Sequence, residues 1–143
     1  MEQTSKIKLT FDGLFASATI YMLTRDNSDD VKYLMAKLIK DRMKSEFFSD
    51  GTVVGTVLYP YQFSCWGNTE NRAFLINSFI NGISQKVDVV LKCIKIWNEV
   101  SEVDYDENDC ILGFYTKNSD EVCPTGKPNQ VIVKEIDQFV FVR

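Results

Sequence analysis

Apolar residues recur at helical spacing through roughly the first two-thirds of the chain and alternate in the strand manner only near its end. Phe11, Leu14, Phe15, Ala18 and Met22 share one helical face, which predicts a first helix within Lys6–Thr24 with Asp12 as its cap. After the turn Arg25–Ser28, Ser28 supplies a cap, and Asp29 and Asp30 place carboxylates at a helix start. Val31, Leu34, Met35, Leu38, Ile39 and Met43 then continue a second helix to about Lys44, the clearest amphipathic segment of the chain. Phe47–Leu58, broken by Gly51 and Gly55, reads as a connector. Asn68 or Thr69 caps a third helix with Phe74, Leu75, Phe79, Ile80 and Ile83 as its expected core face. Asp88 opens a fourth, with Val87, Val90, Leu91, Ile94 and Trp97 on one side. Ile111–Tyr115 reads as a strand, Cys123–Asn129 as turn material, and Val131–Val142 as a terminal hairpin around Asp137-Gln138. No repeat or linker interrupts this order, so the expectation is one α+β domain over residues 1–143, mostly helical with a small C-terminal antiparallel sheet.

Between the second and third helices lies a stretch that fits neither period: Tyr59-Pro60-Tyr61-Gln62-Phe63-Ser64-Cys65-Trp66-Gly67-Asn68-Thr69-Glu70-Asn71-Arg72. Its aromatics, proline, amides and hydroxyls have the composition of a binding groove, in which ring faces stack on sugars or apolar ligands and Gln62, Ser64 and Asn68 fix orientation. A loop pinned to the core by its aromatics has the same composition.

Composition narrows the chemistry. The 143 residues suffice to bury roughly two-thirds of the unfolded surface without disulfide or metal staples. A net charge of −4 with dispersed Lys and Arg argues against nucleic acid as a partner. No apolar run is long enough for a membrane span, and Met1–Lys6 has no signal-peptide character. Cys65, Cys93, Cys110 and Cys123 form no C-x-x-C pair, so free thiols and no metal are expected. The acidic run Glu99–Asp109 lacks the glycine and ligand spacing of a calcium loop. The chain contains no histidine, which removes imidazole bases and Ser-His or Cys-His catalysis.

The motif Gln62-Phe63-Ser64-Cys65-Trp66, followed by Asn68 and Asn71-Arg72 and preceded by Asp41-Arg42-Met43-Lys44-Ser45 and Val57-Leu58-Tyr59-Pro60, resembles the SleB-like cell-wall hydrolases of spore formers and bacteriophages. The resemblance runs from about Ala18 to Arg143. It implies a lysozyme-like domain that cuts peptidoglycan glycan strands, commonly as a lytic transglycosylase, through one protonated glutamate in a partly apolar cleft. Thr19, Ile20, Tyr21 and Arg25 match the family segment "T-I-Y-G-E-A-R-G-E", which places the catalytic glutamate on Leu23 and the second glutamate on Asn27. The family's "Y-H-N" falls on Tyr115-Thr116-Lys117 and its "G-N-H-x-F-Y" on Asp137–Val142, so both family histidines are missing here.

The resemblance therefore implies a degenerate member with no catalytic residue, serving as a structural or adaptor protein of a bacteriophage virion or tail. Its implied partners are other phage structural proteins, with peptidoglycan as a further ligand and no cofactor. One alternative is an active peptidoglycan hydrolase with Asp26 as a relocated acid. Another is a non-catalytic saccharide-binding module. The candidate groove or partner-binding residues are Tyr21, Arg25, Tyr61, Gln62, Ser64, Trp66, Asn68, Arg72 and Tyr115, with Tyr59 beside them.

Overall fold

The computed structural model describes residues 8–117, 122–124 and 130–143. Five helices precede a small sheet: α1 (Phe11–Thr24), α2 (Asp29–Ser45), α3 (Val53–Val57), α4 (Arg72–Ser84) and α5 (Asp88–Ser101). The strands are β1 (Gly113–Thr116), β2 (Val122–Cys123), β3 (Ile132–Ile136) and β4 (Phe139–Val142), antiparallel in the order β2-β1-β4-β3. This is the expected α+β class.

Helix α1 sits at the centre and packs against α2, α3, α4 and α5. Ala16, Ser17, Ala18, Thr19 and Ile20 are all buried in succession, so α1 is enclosed on every side rather than on the one face its larger residues suggested. Small side chains allow this, because neighbouring helices approach its backbone closely. The cap differs too: the side chain of Thr10, not Asp12, accepts from Gly13 N at 2.9 Å, so the helix begins at Phe11. Residues 8–10 lie outside it, and the remainder of the predicted start, 6–7, lies outside the described residues.

Helix α2 follows its pattern. Ser28 caps it, and Val31, Met35, Leu38 and Ile39 are fully buried. The other side of α2 carries charge into the interior. The Lys32 ammonium donates to Arg25 O (2.8 Å) and Asn27 O (2.7 Å), closing the C-terminal end of α1 as a cation should.

The expected connector 47–58 contains a short helix, α3. Thr52 caps it, and a Cβ at Gly55 would stand 2.0 Å from Asp50 Oδ1, so a larger residue there displaces that carboxylate from Thr52. The expected core face of α4 is corrected in part, since Leu75 and Ile83 pack half-buried against the core. Phe79 and Gly82 are its only buried residues, whereas Phe74 and Ile80 are exposed. Helix α5 buries Val90, Ile94 and Trp97 as its spacing predicts.

At the C-terminus, Asp137 (φ 50°) and Gln138 (φ 71°) both adopt the left-handed region. That is the backbone of a two-residue hairpin turn matched to strand twist. The Asp137 carboxylate also accepts from Ser28 N at 2.8 Å, tying the hairpin to the start of α2. Phe114, Phe139 and Phe141 form one aromatic cluster with centroids 5.8–6.3 Å apart. Phe139 thus belongs to the core. The predicted turn Cys123–Asn129 falls largely on 125–129, outside the described residues.

Candidate functional site

Two helical turns and a buried arginine shape the 59–72 segment. The chain leaves α3 at Leu58, and a 3-10 turn at Ser64–Trp66 and another at Thr69–Asn71 lead into α4. Between them the segment is fixed to the core at two points. Trp66 is buried and its indole Nε1 donates to Thr19 Oγ1 of α1 at 2.8 Å, with the Phe15 ring beside it at 5.7 Å. Gln62 Oε1 accepts from Arg42 of α2 at 2.8 Å.

Arg42 joins the parts of the molecule that surround the segment. Its guanidinium also donates to Leu112 O (2.6 Å), just before β1, and to Pro124 O (2.8 Å), just after β2. Phe47, Phe48 and Phe63 close around it at 5.4–5.7 Å. A buried guanidinium is tolerable only when its fixed donors find acceptors and ring faces replace water. One side chain thereby positions the segment, α2 and the sheet relative to one another.

What results is an open groove of about 660 Å³. Leu58, Phe63 and Trp66 contribute its apolar wall, and Tyr59, Pro60 and Tyr61 form an aromatic rim. Tyr61 is 98% exposed and sits at φ 64°, a conformation that costs a bulky residue about 1–2 kcal/mol. Ser64, Thr69 and Arg72 are its polar members. Arg72 Nε donates to Trp66 O at 2.9 Å, which fixes the guanidinium at the groove's edge. Among the described residues the lining contains no carboxylate.

The groove brings together Tyr61, Ser64, Trp66 and Arg72 of the candidate residues, and Tyr59 with them. It does not include the others. Gln62 is buried and turned toward Arg42. The Asn68 side chain accepts from Glu70 N at 3.0 Å and so shapes the second 3-10 turn. Tyr21 packs on Phe79 at 5.7 Å with the Arg25 guanidinium 4.9 Å from its ring. Tyr115 is half-buried on β1, opposite Val140 and Val122. Leu23 is half-buried on the last turn of α1 and packed against the core.

Asp26 lies elsewhere, in a recess of about 270 Å³ formed by Arg25, Asn27, Asp29, Lys32, Asp88 and Lys92. That recess is a charge-paired junction between helix ends, with Lys92 Nζ 3.2 Å from Asp29.

Sequence reasoning passed over a buried polar cluster on the far side of α2. Asp41 accepts from Ile111 N (2.8 Å) and pairs with Lys37 (3.1 Å), while Lys40 donates to Val103 O (3.1 Å) and Lys37 to Asp109 O (2.6 Å). Desolvation pushes the Asp41 carboxyl above its ordinary value and the Lys40 ammonium below its own. The cluster moors the acidic segment 102–112 to α2. The run Lys37, Lys40, Asp41 at helical spacing was its only sequence signal.

Cys65 is half-buried, whereas Cys93 and Cys110 are buried and carry free thiols. Burial pushes the Cys93 thiol up to about 12. Among the described residues no cluster of three or more His, Cys, Asp or Glu side chains is arranged to hold a metal, and no helix is long and apolar enough to cross a membrane. Compared with known proteins, the chain matches no family model, no curated protein and no solved structure.

Proposed function

We propose that the chain is a catalytically silent relative of the SleB-like cell-wall hydrolases, which acts by contact as a structural or adaptor component of a bacteriophage particle. The observation that carries this reading is the placement of Leu23 and Asp26. Leu23, the position that the resemblance aligns with the family's proton donor, is half-buried and packed on the core. The nearest substitute, Asp26, lines a separate charged recess. Glycosidic cleavage needs a carboxylic acid held at the scissile oxygen, and the groove offers none among its described lining.

A second reading is supported by the aromatic rim. Tyr59, Pro60 and Tyr61 beside Arg72 suit stacking on a saccharide with one hydrogen-bonded or anionic substituent, which would make the groove a peptidoglycan-binding site without cleavage.

The test incubates purified sacculi with the wild-type chain and with Asp26→Asn, following soluble muropeptides and the protein that sediments with the wall. The contact reading expects no muropeptides from either protein. Sedimentation abolished by Tyr61→Ala would select the saccharide-binding form. Muropeptide release by the wild type that stops in Asp26→Asn would overturn the reading and make Asp26 a general acid.

A further inference from the structure

The guanidinium of Arg72 is fixed in place with most of its donors unused. Nε donates to Trp66 O at 2.9 Å, and Trp66 is itself bonded to Thr19 of α1, so this half-buried side chain is mounted on the core. The fork of Nη1 and Nη2 meets no acceptor among the described residues. Other cations of the chain do pair: Lys37 with Asp41, Lys92 with Asp29 and Lys117 with Glu135. The chain has 20 Asp and Glu against 16 Lys and Arg, yet the described groove lining contains no acid, and Arg72 is the sole formal charge in it. A cation held this way in an acidic chain selects an anionic occupant.

The rest of the lining narrows that occupant. Phe48, left-handed at φ 48°, packs edge-on against Tyr59 at 5.6 Å, while Tyr61 is left-handed and 98% exposed, so no packing within the chain offsets its strain. Strained aromatics beside a cleft are the pattern of a ligand clamp. Saccharide hydroxyls need partners around the whole ring, and the described lining has neither carboxylate nor side-chain amide: Gln62 is turned to Arg42 and Asn68 shapes a 3-10 turn. An extended peptide instead lays aliphatic or prolyl side chains on aromatic faces, and in an open groove its backbone stays hydrated on the outer side. The end-on edge of the Arg72 fork presents two parallel N–H groups at the spacing of carboxylate oxygens.

We infer that the groove is a docking site for an extended apolar peptide segment of a partner protein, which presents one Glu or Asp carboxylate to the Arg72 fork and packs its neighbouring side chains on the Tyr59–Tyr61 rim. This rests on the reading that the chain acts by contact, and it names the surface and the chemistry of that contact. Arg72 sets the preference for the carboxylate, and Tyr61 contributes affinity without regard to charge.

The test titrates blocked hexapeptides into the isotope-labelled full chain, to about 1 mM, and follows its two indole N–H resonances by NMR. Each peptide carries one Glu among Leu, Pro and Val, at each position in turn, and has a Gln twin; chitotetraose is the saccharide arm. Trp66 lines the groove and should shift, whereas Trp97, in the core on α5, should not, and its position verifies that each variant is folded. The best Glu peptide should bind about tenfold more tightly than its Gln twin. Arg72→Gln should remove that preference, and Tyr61→Ala should weaken both twins about tenfold. No Trp66 shift with any Glu peptide overturns the inference. So does equal binding of the Gln twins, a preference that survives Arg72→Gln, or a Trp66 shift with chitotetraose alone. Failure of these titrations without muropeptide release from sacculi removes the assigned occupant only, whereas muropeptide release removes the contact reading itself.

Discussion

Replacing Arg42 with Met removes a side chain that connects the groove segment, α2 and the sheet. Methionine retains much of the apolar stem among Phe47, Phe48 and Phe63 but leaves Gln62 Oε1 and the carbonyls of Leu112 and Pro124 without this donor. Pro124 is exposed, so water can replace the guanidinium there. The two interior acceptors lose about 1–3 kcal/mol each. Loss of the cation–ring contacts adds about 1–2 kcal/mol. Relief from burying a charge returns about 1–4 kcal/mol. The expected net loss is about 3 kcal/mol, a large share of the about 5–15 kcal/mol that holds a domain together.

In urea denaturation, with a slope near 2 kcal/mol/M, this lowers the midpoint by about 1.5 M. The companion variant Gln62→Met isolates the contact to the groove segment. Combined with Arg42→Met, it should cost about 1–2 kcal/mol less than the sum of the two single changes, because both remove the same hydrogen bond. A loss below about 1 kcal/mol for Arg42→Met, or strict additivity with Gln62→Met, would refute the assignment of Arg42 as the residue that positions the groove.

Three further outcomes follow from the buried polar and close-packed positions. Burial holds the Asp41 carboxyl protonated at pH values where the unfolded chain has already lost that proton. Its contribution to stability therefore falls as pH rises from the ordinary aspartate value to the raised native one, then stays level. Urea midpoints across this range should show the wild type losing ground to Asp41→Asn with rising pH, and a difference of the opposite slope would contradict the desolvation argument. At Gly82, a Cβ would lie 2.9 Å from Val90 Cγ2 where α4 crosses α5, so Gly82→Ala should cost about 1–3 kcal/mol by chemical denaturation despite alanine's higher helix propensity. Cys93, buried with its thiol pushed up to about 12, should resist iodoacetamide in the native protein at mildly alkaline pH, and rapid native labelling at Cys93 by mass spectrometry would show that α5 opens readily.

The elements legible in the sequence are those whose local pattern agrees with their tertiary setting. Helix α2 has a Ser28 cap and an apolar stripe, and the terminal hairpin has a two-residue turn between alternating strands. The departures come from neighbours that no local pattern encodes. Helix α1 is enclosed because Ala16, Ser17, Ala18 and Thr19 are small, a packing fact that periodicity of the large residues does not register. The apolar residues of α4 extend around more of the helix than the core covers, so Leu75, Phe79 and Ile83 pack on the core while Phe74 and Ile80, expected inside, lie outside. Helix α3 is short, β-branched and glycine-bearing, and so lacks the propensity that would announce it.

The groove was visible as an irregular aromatic segment, but its division into rim and support was not. Gln62 turns inward because Arg42, twenty positions earlier, supplies its partner, whereas Tyr61 faces solvent because its left-handed backbone swings it out. Asp26 and Leu23 are near one another in sequence, yet Asp26 ends in a recess between helix termini apart from the groove.

The most direct measurement of the central claim is muropeptide analysis of sacculi after prolonged incubation with stoichiometric wild-type protein, alongside a Leu23→Glu variant. The account predicts no anhydro- or reducing-end fragments from the wild type, because no described carboxylate lines its groove. Release of either fragment class by the wild type at a rate proportional to enzyme concentration would contradict it.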